Sequence, residues 1–146
     1  VEQTAKALHG EGLVVLVGPE AWSAQDAARV RAAGAIVLGA RPRDLIPGYL
    51  QHASALTVPH LVTAFTESLD PIKLYEYQAV GRPIVSTPVA GFRDAVGVHV
   101  AEADTYVDAV VTHVMATPQG LTITTDSEAL DWSVRVSEFR EALTRV

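Results

Sequence analysis

The chain contains no cysteine, which excludes disulfides and thiolate metal sites and is compatible with a cytoplasmic setting. Long apolar runs are missing too: none approaches the ~20 residues that a membrane-spanning helix needs, and no signal-peptide pattern is present. Positive charge is scarce. Eleven basic residues stand against seventeen acidic ones, for a net charge of −6, which argues against a general nucleic-acid or anionic-membrane surface. Several catalytic signatures are absent as well. There is no GxGxxG after a strand and no GxxxxGK[ST], so the usual dinucleotide and P-loop fingerprints are lacking. Ser86 has no GxSxG elbow around it. His9, His52, His60, His99 and His113 show neither HExxH nor triad spacing, so no metal site is expected. Trp22 and Trp132 read as packing residues.

What remains is a globular composition. The 146 residues are 49% apolar and 6% aromatic, enough for one domain with a substantial core. The chain opens on valine and on helical sequence, VEQTAKALHG, so a longer parent chain is expected. A helix over about Val1 to Leu8 is followed by LVVLVGP, a continuous apolar run read as a strand buried on both faces. Ser23 caps SAQDAARVRAAG with an acidic residue three positions on, and Gly34 ends it. Ala35 to Leu38 is a second strand, and Arg43 to Ala53 a second helix, irregular at Pro47-Gly48. Ala55 to Val58, Pro83 to Ser86 and Gly97 to Val100 read as further strands, Thr105 to Ala116 as a helix. Thr117 to Asp126 is a loop or edge strand, and Asp126 or Ser127 caps a last helix. Short apolar strands alternating with helices indicate α/β architecture, a Rossmann-like doubly wound parallel sheet.

In such sheets ligands bind beyond the carboxyl ends of the strands. The segments leaving those ends bring Arg41, Arg43, Lys73 and Arg93 toward one rim of an acidic protein. Each alone reads as a solvated charge; together with a helix N-terminus they suit a phosphate. That helix lies in TESLDPIKLYEYQAVGRP. Asp70 is a good N-cap, Pro71 suits the first helical position, and Gly81 with Pro83 ends the helix. Lys73 then falls at the third position, where the helix dipole disfavours a cation by roughly 0.3–1 kcal/mol unless an anion is bound. Glu76, one turn on, either pairs with Lys73 as an i,i+3 surface salt bridge or accepts two hydrogen bonds from a vicinal diol such as a ribose. His60 reads equally as a ligand contact or a structural residue.

SLDPIKLYEYQAVGRPIVSTPVAGFRD, Ser68 to Asp94, resembles the donor-binding segment of GT-B-fold glycosyltransferases of the family 4 or group 1 type, whose pattern is close to S-x-D-P-x-K-x-x-E-Y-x-A-x-G-x-P-V-V-x-T. The likeness extends more loosely over nearly all of the chain, but only to the C-terminal, nucleotide-sugar-binding half of such an enzyme. It implies that Glu76 holds the ribose hydroxyls and that Lys73, with the backbone at Ser68, Leu69 and Asp70, meets the diphosphate of a nucleoside diphosphate sugar such as a UDP-sugar. It places Gly39 to Arg41 near the nucleobase and Thr87 to Gly91 along the donor pocket. Lys73 would be catalytic by stabilising the leaving group, without metal or other cofactor. Two features depart from the family. Eight residues separate Glu67 from Glu76, one more than in the glutamate pair of many retaining members. The first, central strand is also absent, so a gap in the sheet is expected, filled by the parent chain or a neighbouring molecule.

The expected function is transfer of a sugar to an unknown sugar, lipid or small-molecule acceptor, bound by an acceptor domain upstream. The fragment alone would bind and not transfer. The expected location is cytoplasmic, free or peripheral to the inner face of the membrane. A nucleotide-sugar epimerase of the same architecture and a non-catalytic nucleotide-binding module remain as alternatives.

Overall fold

The computed structural model describes residues 1–68, 71–117 and 137. Among them, in chain order, lie α1 (Glu2–Ala7), β1 (Val15–Val17), α2 (Ala24–Ala32) and β2 (Ile36–Gly39). A 3-10 turn (Arg43–Leu45) leads straight into α3 (Ile46–His52), then β3 (Leu56–Val58) and a second 3-10 turn (Thr66–Ser68). α4 (Ile72–Val80), β4 (Ile84–Ser86), β5 (Val98–Val100) and α5 (Tyr106–Ala116) complete the alternation. The expectations for the segment after Thr117, for the last helix and for Trp132 fall outside the described residues. No helix among those described is long and apolar enough to cross a membrane.

Local chemistry sets these boundaries. Ser23 Oγ accepts from the Asp26 N–H at 3.1 Å and contacts the Asp26 carboxylate at 2.6 Å, so the expected cap of α2 forms and satisfies one of the helix's free donors. α4 exits through Gly81 in the left-handed region, at φ 70°, a conformation that glycine adopts without steric cost. Its start differs from expectation. Pro71 is extended and stands before the helix, Ile72 is the first helical residue, and Lys73 is therefore second rather than third. Asp70, the expected cap, is not among the described residues. The irregularity expected inside the second helix sits earlier, at the junction of the 3-10 turn with α3, because Pro47 has no N–H and is best placed in a first turn.

All strand pairs are parallel. β1 pairs with β2, and β3–β4–β5 form a separate sheet. The architecture is Rossmann-like α/β, but the sheet is divided between β1 and β3. The run LVVLVGP is accordingly not a strand buried on both faces. Only Val15–Val17 of it is extended, and Leu13 and Val15 stand 69% and 46% exposed, because among the described residues β1 has a strand neighbour on one side only.

β4 has neighbours on both sides and is fully buried. Ile84 faces a cluster with Leu56, Val58, Leu74 and Phe92, under α3 and α4. Val85 faces the other way, against Leu8, Tyr106 and Val110 of the α1–α5 layer. A third cluster joins Ala5 to Val30, Ala33 and Ala35. Helices thus cover both faces, as a parallel sheet requires.

Candidate functional site

The loops at the carboxyl ends of β3 and β4 are fastened together. Thr87, the residue after β4, donates its N–H to the Val58 carbonyl at 3.1 Å, and its hydroxyl lies 2.6 Å from the His60 carbonyl oxygen. The side chain is buried, so Thr87 acts here as a brace beneath the rim. The loop beyond His60 is pinned by two threonines. Thr63 N–H donates to Thr66 Oγ1 at 2.8 Å, Thr66 N–H to Thr63 Oγ1 at 3.2 Å, and Thr66 Oγ1 to the Leu61 carbonyl at 2.7 Å. Ser68 Oγ donates to the Phe65 carbonyl at 2.7 Å. These short-range bonds give the exposed loop a defined path.

Glu67 carries that path across to the loop after β4. Its carboxylate accepts from Arg93 Nη2 at 2.6 Å and from the Ala90 N–H at 3.1 Å. The bond from Arg93 holds the Glu67 carboxyl below its ordinary range, against partial desolvation and with help from Ala90. Arg93 also donates Nε–H to the Pro88 carbonyl at 3.0 Å. Of the four cations expected at the rim, Arg93 is thus committed to a carboxylate. Arg41 is exposed and donates to the Ala40 carbonyl at 3.3 Å. Arg43 is exposed at the start of the 3-10 turn.

Lys73 differs from Arg93. It is exposed in the first turn of α4, near enough to His60 that its charge, after desolvation, lowers the imidazole pKa. The ion pairs among the described residues join Lys6 and Arg29 to Glu2, Arg29 to Asp26, Arg31 to Glu20 and Arg93 to Glu67. Lys73 and Glu76 take part in none of them, so the i,i+3 salt bridge that the spacing allowed is not formed. Both instead line a cleft of about 830 Å³, together with Pro59 and Tyr77. Burial, then the Glu76 charge, raises the Tyr77 phenol pKa, which keeps that ring neutral beside the carboxylate.

Gly39 ends β2 at φ 70°, where the register with β1 shifts and its carbonyl accepts the Gly18 N–H at 3.0 Å. A Cβ at Gly39 would meet only Glu20 Oε1, at 4.0 Å, so backbone conformation rather than space calls for glycine. Gly91 is exposed at φ 82°. Leu69 and Asp70 are outside the described residues. Among the described residues no group of three or more His, Asp or Glu is arranged to hold a metal ion.

The structure therefore brings Lys73 and Glu76 to the wall of one cleft, places His60 near Lys73, and uses Thr87 and Arg93 to hold the loops after β3 and β4. The Glu67–Arg93–Ala90 connection escaped the sequence reading, since its partners lie 23 and 26 residues apart and no periodicity links them.

Residues 2–116 match the model of the family described as glycosyl transferases group 1. The chain belongs to that family. No curated protein and no solved structure matches it.

Proposed function

We propose that the chain is the donor-binding half of a glycosyltransferase, holding a nucleoside diphosphate sugar at the carboxyl rim of its strands. The observation that carries this reading is Lys73. It is a cation in a helix's first turn, exposed, and free of an ion pair among the described residues although Glu76 is one turn away. A helix start disfavours a lone cation and favours an anion. A diphosphate satisfies both the helix and the lysine.

In this reading Lys73 neutralises charge building on the departing diphosphate, and the helix terminus adds fixed N–H donors. The contribution is positioning and electrostatic stabilisation. The Glu76 carboxylate accepts hydrogen bonds from the ribose diol, and the backbone at Ser68, Leu69 and Asp70 meets phosphate. Gly39 to Arg41 flank the base, while Thr87 and Gly91 shape the pocket wall. The acceptor is held by a domain upstream in the parent chain. No metal is needed where lysine and helix supply the counter-charge.

Calorimetric titration with UDP, GDP and ADP, each with EDTA and then with Mg²⁺, tests the proposal. Binding of at least one nucleotide in EDTA is expected. Binding only after Mg²⁺ is added would sink the electrostatic arrangement, and no binding at all would sink the reading.

A further inference from the structure

His60 and Lys73 reach the rim from two different elements. β3 ends at Val58, and Pro59, the one residue between it and His60, lines the same cleft as Lys73 of α4. The main chain is fixed at that point. The Thr87 hydroxyl donates to the His60 carbonyl at 2.6 Å, and the Thr87 N–H to the Val58 carbonyl at 3.1 Å. The imidazole itself is exposed and makes no hydrogen bond among the described residues. Three other histidine rings are engaged: His52 Nδ1 lies 2.8 Å from the Gly48 carbonyl, and His99 and His113 meet edge to face with centroids 4.8 Å apart. A ring anchored through its backbone and open at both nitrogens is placed to meet a ligand.

The charges around that ring are few. Partial desolvation, and then the Lys73 cation, lower the imidazole pKa from its ordinary 6.5, so the ring is neutral at neutral pH. On the loop after β4, Arg93 is bound to Glu67. Glu76, one turn along α4, acts on Tyr77. The empty rim therefore presents Lys73 as a cation outside any ion pair among the described residues, beside an imidazole able to acquire a second charge. A phosphate between the two changes the balance. It offsets the lysine's field on the ring and accepts N–H bonds from both side chains. The second charge is then present only with the anion, so the empty protein does not hold two adjoining cations. A diphosphate, with oxygens on two phosphoryl groups, suits donors that arrive from two elements.

We infer that His60 and Lys73 form a two-point clamp on a diphosphate, and that the imidazole takes up a proton as the anion binds. The inference rests on the donor-site reading for the source of the diphosphate, and adds to it a residue and a proton. No covalent step is involved; the proton comes from solvent and stays on the ring as an N–H donor. Binding should tighten as pH falls through the pKa of the occupied site, and level off below that of the empty one.

The test follows the histidine Cε1–H resonances by NMR across pH, in EDTA, without and with inorganic pyrophosphate. Pyrophosphate titrates on its own account, so the ring is the readout and not the total of protons bound. His60→Gln assigns the His60 signal by its loss, and His9, His52, His99 and His113 serve as controls. Pyrophosphate should raise the His60 midpoint by about one pH unit, as an opposite charge at close range does, and leave the controls in place. In Lys73→Ala the empty-site midpoint should start higher and the rise on adding pyrophosphate should shrink. A His60 midpoint that stays put, or moves no more than the controls, would overturn the inference. The same titration with UDP, GDP and ADP separates it from the proposed function. A nucleotide that binds with His60 unmoved leaves the donor site standing and removes the clamp. A pyrophosphate shift at His60 with no nucleotide bound leaves the clamp and removes the nucleotide.

Discussion

Arg93 Nη2 lies 2.6 Å from each carboxylate oxygen of Glu67, twenty-six residues away in the chain. With the Ala90 N–H on the same carboxylate, this ties the loop entering α4 to the loop leaving β4, on either side of the proposed donor site. Glu67→Ala and Arg93→Ala should each lower the melting temperature, and the double variant should fall no further than the worse single one. The pH dependence has a definite sign. Arg93 holds the folded-state carboxyl below the ordinary 4.5, so the stabilisation is present above that value and is lost as pH falls through the folded pKa. Wild type and Glu67→Ala should differ at pH 6 and converge in acid. Additive losses in the double variant would show that the two side chains do not act on each other.

Lys73→Ala separates binding from folding. It relieves an unfavourable dipole contact and raises helix propensity slightly, so the empty protein should melt unchanged or a few tenths of a kcal/mol more stably. Loss of a charge-assisted bond to phosphate should weaken diphosphate binding by ~1.5–3 kcal/mol, or roughly 10- to 150-fold. The bare nucleoside should bind as before. An equal loss for nucleoside and diphosphate would move the lysine off the phosphates.

Glu76→Gln tests the ribose contact. An amide accepts on one oxygen and presents donors on the other side, so it meets a vicinal diol poorly. Glu76 is exposed and outside any ion pair among the described residues, so the melting temperature should hardly move while affinity falls. Retained affinity in titration would remove Glu76 from the site.

How much of this was legible in the sequence varies with the range of the cause. The Ser23 cap, the Gly81 exit and the alternation of strands and helices follow from neighbouring residues, and they appear where expected. The start of α4 slipped by one position because Pro71 suits either the first helical residue or the extended one before it. Apolar residues alone could not show that β1 pairs on one side only among the described residues, since the run LVVLV reads the same at an edge and at a centre. Thr87 was expected along the pocket, and the bond of its hydroxyl to the His60 carbonyl, a partner 27 residues away, could not be read from its neighbours. Lys73 and Glu76 were singled out by their local pattern, and both line the cleft. The commitment of Arg93 to Glu67 depends on tertiary geometry that no pattern encodes.

Tyr106 offers a test of the fold by itself. It is buried beside β4, its hydroxyl 3.3 Å from the Val85 carbonyl, and burial pushes the phenol up to about 12 from 10.0. Tyr106→Phe should cost ~0.5–1.5 kcal/mol at neutral pH. A raised folded pKa stabilises fully below the unfolded value, and the contribution disappears as pH rises from 10 toward 12. Urea midpoints of wild type and Tyr106→Phe should therefore draw together as pH rises from 10 toward 12. A constant gap would mean that the phenol ionises as freely in the folded protein as in the unfolded chain.

The six residues of α1 have a mechanical consequence. Ala5 packs with Val30, Ala33 and Ala35 beneath β1 and β2, while Leu8, one turn later, packs with Val85 and Val110 against β4 and α5. With no ladder between β1 and β3 among the described residues, this short helix and the adjoining Val14 serve as a seam between two cooperative units. Such units open separately when the seam is weak. The β1–β2–α2 portion should detach first under heat or protease, leaving β3–β4–β5 folded around Phe92. A change at Ala5 or Leu8 would thus alter the coupling between the units and not only the stability of either.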